Sequence, residues 1–125
     1  MSIVRFAPLL LLTLPVALSA QSMNAELFHK KASALAKKGP MAIFSGDLKQ
    51  VMSEGKASAG KARQIRLAAI KAGQKPRYCP PEGTKGIDSD EYMKGLSAIP
   101  AAERARIDMT EATTRILARK FPCPA

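Results

Sequence analysis

The chain carries only two cysteines, Cys79 and Cys123, one at each edge of its C-terminal helical stretch. Both sit beside prolines, in Tyr78-Cys79-Pro80-Pro81 and Phe121-Pro122-Cys123-Pro124. What such a pair does depends on the compartment, because thiols stay reduced in the cytosol and pair outside it. The first twenty residues settle the expectation. Arg5 supplies a positive start, an uncharged and mostly apolar run from Phe6 to Leu18 follows, and Ala17, Ser19 and Ala20 place small residues before a cleavage point after Ser19 or Ala20. This is the pattern of a secretory leader over residues 1–20. The apolar run is shorter than the roughly 20 residues a membrane-spanning helix needs, and no lipid-attachment cysteine is present. An even pair of cysteines in an exported chain predicts a Cys79–Cys123 disulfide rather than a metal site or a nucleophile.

Residues 21–125 then form one small domain. Tryptophan is absent and the apolar content leans on alanine, which buries little area per residue. A crosslink matters for such a core. Closing a loop of roughly 45 residues is worth on the order of 4 kcal/mol in the chain-entropy account.

Helix signals are frequent and strand signals nearly absent. Ser22 or Asn24 caps a first helix to about Lys38, with Leu27, Phe28, Ala32 and Leu35 on one face and Gly39-Pro40 as its stop. After the short apolar piece Met41–Phe44, Ser45 or Asp47 opens a longer helix. Leu48, Val51, Met52, Ala59, Ala62, Ile65 and Ala69 are spaced near its period. Gly55 and Gly60 are positions where it splits or bends, and Gly73 and Pro76 close it. A Pro/Gly-rich loop runs from Arg77 to Ile87. Ser89 caps a third helix with Tyr92, Met93 and Leu96, and Pro100 starts a further turn. Asp108 and Glu111 read as a capping box, followed by Met109, Ala112, Ile116, Leu117 and Phe121 at helical spacing. The expected fold is an all-α bundle of about four helices whose last helix is pinned back to the Cys79 loop.

Candidate chemistry is sparse. His29 is the single histidine and reads as an exposed helical residue. Asp88, Asp90 and Glu91 lack the alternation of a calcium loop and suit a helix N-terminus. No nucleophile elbow, phosphate loop or dinucleotide fingerprint occurs. No catalytic residue, metal or cofactor is therefore expected, and the chain reads as a non-enzyme.

The balance of charge is the remaining signal. The formal net charge is +10, of which only Arg5 leaves with the leader. One basic run holds Lys30, Lys31, Lys37 and Lys38, and the other runs from Lys49 to Arg77 through Lys61 and Lys75. Within the second, Lys49, Lys56, Arg63, Arg66 and Lys71 form a candidate partner-binding face, read as lying away from Leu48 and Ile65. Such a face attracts an acidic protein or an anionic membrane surface. Nucleic acid is disfavoured, because export removes it and no aromatic residues interleave with the charges.

The C-terminal text resembles a known family. Tyr78-Cys-Pro-Pro-Glu-Gly-Thr84, Glu91-Tyr-Met-Lys-Gly-Leu-Ser-Ala-Ile-Pro100 and Ala112-Thr-Thr-Arg-Ile-Leu-Ala-Arg-Lys-Phe-Pro-Cys-Pro124 look like the Rap/Tai-type immunity proteins. Those are small exported helical proteins that block toxic amidase effectors of type VI secretion. The likeness covers about Tyr78 to Pro124. It implies the same disulfide and packing of the last two helices, and a peptidoglycan-degrading effector as partner. The expected role is a periplasmic or secreted binding protein, immunity-like, that inhibits a cell-wall amidase or other effector. The alternative is a cationic envelope protein whose helix from Asp47 to Ala72 lies on a membrane.

Overall fold

In the computed structural model, residues 22–125 are described, and the expected leader lies outside them. Five helices follow in order: α1 (Ala25–Lys38), α2 (Gly46–Lys71), α3 (Ser89–Ala98), the single turn α4 (Ala101–Arg104) and α5 (Met109–Lys120). A 3-10 turn, Gly39–Phe44, joins α1 to α2, and the described residues form no strand. The all-α bundle expected from the sequence is what forms. α2 is continuous through Gly55 and Gly60 and does not split.

Local chemistry sets the helix ends. Asn24 caps α1 by accepting from the Glu26 and Leu27 N–H groups. The other capping candidate, Ser22, shares a hydrogen bond with the Thr110 hydroxyl instead. Gly39 takes a positive φ of 56° as the chain leaves α1, a conformation that costs a residue with a Cβ. Ser45 opens α2, while α3 is capped by Asp88 and not by Ser89. Only half of the expected capping box forms at α5. Asp108 accepts from the Glu111 N–H, but the Glu111 carboxylate takes Arg77 and Arg115. The starts of α1 and α5 are also clasped together: Ala25 N–H donates to Ile107 O at 2.9 Å and Met109 N–H to Met23 O at 2.8 Å, across the Asn24–Asp108 bridge.

α5 is the centre of the bundle. Met109, Ala112, Ile116 and Leu117 are buried as expected, and so are Thr110, Thr113 and Thr114. A threonine is tolerated in a core when its hydroxyl finds a partner. Thr114 donates to Thr110 O, and Thr113 meets the Tyr92 hydroxyl at 2.6 Å. The main core joins Ala25, Phe28 and Ala32 of α1 to Leu96, Ile99, Met109, Ala112 and Ile116. A smaller one joins Ala62, Tyr78 and Leu117. Leu27 does not belong to this face and is exposed, because the inward spacing on α1 is 25, 28, 32, 35.

The inner face of α2 differs from expectation. Its buried residues are Ser58 and Ala62, and a Cβ added at Gly55 would fall 3.8 Å from the Phe28 ring. Small side chains let helices approach closely, so the strip that touches its neighbours is narrow. With Ala62 inward, Ile65 and Met52 lie about 60° and 80° round the helix, and both are exposed.

Two glycines behave oppositely. A Cβ on Gly60 meets nothing within 4 Å, whereas one on Gly95 falls 2.9 Å from Cγ2 of the buried, β-branched Ile116. Gly60→Ala is expected to raise stability by about 0.8 kcal/mol through helix propensity. Gly95→Ala, despite the same gain, is expected to lower it by about 1 kcal/mol through overpacking. Urea denaturation of the two variants checks both signs.

The connection between α2 and α3, residues 72–88, has no regular structure. Ile87 packs it against both cores, and four further ties hold it nearer the disulfide. Cys79 is disulfide-bonded to Cys123 with Cα atoms 4.8 Å apart. Cys79 N–H donates to Phe121 O at 2.8 Å. Tyr78 is buried against Ala62 and Leu117. Arg77 makes a two-pronged ion pair with Glu111, whose carboxylate is held below its usual range by that hydrogen bond.

Candidate functional site

The α2 helix presents most of the residues expected to meet a partner. Lys49, Lys56 and Arg63 recur every seventh residue, so they fall along one line with a drift of about 20° per heptad. All three are exposed, and none has an ion-pair partner among the described residues. Lys71 is exposed as well, about 60° further round the helix. Arg66 departs from this group. It is half-buried, with its guanidinium 5.3 Å from the Tyr78 ring centroid, and its buried Nε has no hydrogen-bond partner.

The sequence reading missed what lies between the cations. Met52 (66 % exposed), Leu67 (45 %) and Ile70 (50 %) occupy the same outward side. The sequence 49, 52, 56, 59, 63, 66/67, 70 alternates steps of three and four, the spacing with which one helix meets another. The seam is basic and apolar in turn. Its signal is present in the sequence, where Met52 also fits the apolar spacing of Leu48 and Val51.

Two concavities flank this seam. One, about 550 Å³, lies between α2 and the clamped loop, walled by Arg63, Arg66, Tyr78, Phe121 and the turn through Gly83. The other, about 500 Å³, runs between the α1–α2 pair and α3, lined by Phe28, Leu35, Val51, Met52, Tyr92 and Met93 with Lys56 at its edge. Phe28 and Tyr92 meet edge-on at 6.4 Å in its floor. Burial raises the Tyr92 hydroxyl pKa, against the opposing effect of its Thr113 hydrogen bond, so the phenol stays protonated.

The other titratable candidates serve the scaffold. His29 is half-buried rather than exposed, with Nε2 3.0 Å from Ser97 Oγ, and burial followed by the nearby Arg104 charge lowers its pKa. Asp88 caps α3, and Glu91 pairs with Lys120. Among the described residues, no three of His, Cys, Asp and Glu gather as a metal site would require. None of their helices is long and apolar enough to cross a membrane. Of the apolar residues on α2, Val51 and Ala62 pack against the bundle, whereas Ile65 is exposed. No family model, curated protein or solved structure matches the chain.

Proposed function

We propose that this chain is an exported binding protein, without catalytic activity of its own, that docks an acidic protein partner along the outward seam of α2. The observation that carries the reading is the row Lys49, Lys56 and Arg63 interleaved with exposed Met52, Leu67 and Ile70. Exposed charge alone is ordinary solvation. Cations without ion-pair partners beside uncovered apolar groups offer both steering and area to bury. The disulfide fits an oxidising compartment, and the periplasm is the proposed location.

The C-terminal likeness to the Rap/Tai-type immunity proteins supports a finer form. The partner would be a peptidoglycan-degrading amidase effector, and the mechanism would be occlusion. α2 and the clamped loop beside it cover the effector's cleft, while the basic row draws in an acidic rim and speeds encounter. The crosslink on the loop favours this mode, because a constrained surface loses less conformational entropy on binding.

A photoreactive residue replacing Met52 tests the reading in living cells. It is expected to yield one discrete crosslink to an acidic protein. The reversal Lys49→Glu/Lys56→Glu/Arg63→Glu is expected to slow association with that protein on the order of 100-fold at low salt. Purified partner whose affinity is unchanged by the triple reversal would overturn the seam. Cells that gain no protection from a co-expressed amidase effector would overturn the immunity form alone.

A further inference from the structure

We infer that the tip of the α1–α2 hairpin, the 3-10 turn Gly39–Phe44, is a docking point for an anionic lipid bilayer. None of its six residues is buried, and Met41, Ile43 and Phe44 are 64 %, 69 % and 77 % exposed. A single exposed apolar side chain is unremarkable on any protein. Three within four residues, at a turn between two helices, make a cluster that water solvates poorly.

The charge around the tip identifies the occupant. Residues 30–49 hold five lysines (Lys30, Lys31, Lys37, Lys38 and Lys49) against one carboxylate, Asp47. That carboxylate is already held by Lys31 at 3.3 Å. Lys37 and Lys38 precede the apolar residues by a few positions and Lys49 follows them. All three are exposed and have no ion-pair partner among the described residues. The order along the hairpin is therefore apolar at the end and cationic on both flanks. A bilayer presents the matching order, hydrocarbon below and phosphates above. Lysine stems are long enough to keep their ammonium groups at the phosphate level while the apex enters the acyl boundary. The inference goes beyond the α2 seam, and of the seam's residues it uses Lys49 alone.

Co-sedimentation with vesicles tests it. The protein is purified with its disulfide intact, and wild type and variants share one N-terminus, verified by mass. Binding is expected to vesicles of phosphatidylglycerol mixed with phosphatidylcholine, and to be far weaker with phosphatidylcholine alone. Ile43→Ser/Phe44→Ser is expected to weaken the anionic-vesicle affinity on the order of 100-fold. Lys37→Gln/Lys38→Gln is expected to weaken it about fivefold per lysine. All four positions are exposed, so the melting temperatures should match wild type, and a melt verifies this. Anionic binding that survives Ile43→Ser/Phe44→Ser would be adsorption of charge alone and would overturn the tip. So would equal binding to neutral vesicles, no binding at all, or a dimer in light scattering that the same pair of serines abolishes.

Discussion

Replacing both cysteines, as Cys79→Ser/Cys123→Ser, is expected to lower stability by about 4 kcal/mol and the melting temperature by about 20 °C. The two residues are 44 apart in sequence, and freeing a loop of that size restores entropy to the unfolded chain. The folded side of the balance is equally exposed. Residues 72–88 have no helix or strand of their own, so without the bond they depend on the packing of Tyr78 and Ile87, the Cys79 N–H to Phe121 O hydrogen bond and the Arg77–Glu111 pair. The last of these is largely exposed and worth little alone. The loss should therefore begin at the loop and the end of α5, and hydrogen exchange should show those amides opening first. Thermal melts with and without reductant measure the effect. A shift of only a few degrees would show that the loop is held by packing and not by the crosslink.

Arg104→Ala is expected to cost about 3 kcal/mol, because it removes a buried donor to several carbonyls. Arg104 is 7 % exposed. Its Nε donates to Glu26 Oε2 at 2.6 Å, and its Nη1 donates to Ile99 O and, more weakly, to Leu96 O and Ser97 O at 3.4 Å. One guanidinium thus satisfies carbonyls at the end of α3, where a cation also suits the helix dipole, and pairs with the first turn of α1. Its removal leaves carbonyls and a carboxylate unpartnered at the junction of α1, α3 and α4. Arg104→Met keeps the stem but not the donors, and is expected to recover less than half of the loss.

The same pair sets an acid limb. The hydrogen bond from Arg104 holds Glu26 below its ordinary value of 4.5, with burial opposing and the Arg104 charge assisting. Because the folded-state pKa is the lower one, the stabilisation is complete above pH 4.5 and is lost as pH falls through the folded value. Glu111 adds a second loss of the same sign through Arg77. Stability of Glu26→Gln measured against pH should therefore fall less steeply than wild type below that point. Parallel curves would show that Glu26 does not titrate against Arg104.

What could be read from the sequence was local. Asn24 and Asp108 cap helices within three residues of themselves, Gly39 marks its helix end, and two cysteines have one pairing. What could not be read depended on distant neighbours. Met52 and Ile65 have core spacing, but the strip of α2 that meets its neighbours holds Val51 with the small residues Gly55, Ser58 and Ala62, and it leaves Met52 and Ile65 outside. Arg104 sits in an unremarkable Ala-Glu-Arg-Ala text, and its carboxylate partner lies 78 residues earlier. For the candidate site, heptad spacing placed Lys49, Lys56 and Arg63 together. Arg66 is diverted because the clamped loop brings Tyr78 under it. Met41–Phe44 shows why apolarity alone cannot locate a surface: the same four letters would suit a core, and only the turn's position leaves them uncovered.

The narrow ribbon of mostly tiny side chains that seats α2 separates architecture from identity. The helix keeps its place through an inner strip of Val51, Gly55, Ser58 and Ala62, so its outward letters can change with little folding penalty. Natural variation or an engineer can therefore rewrite whom this rod greets while leaving the frame behind it untouched.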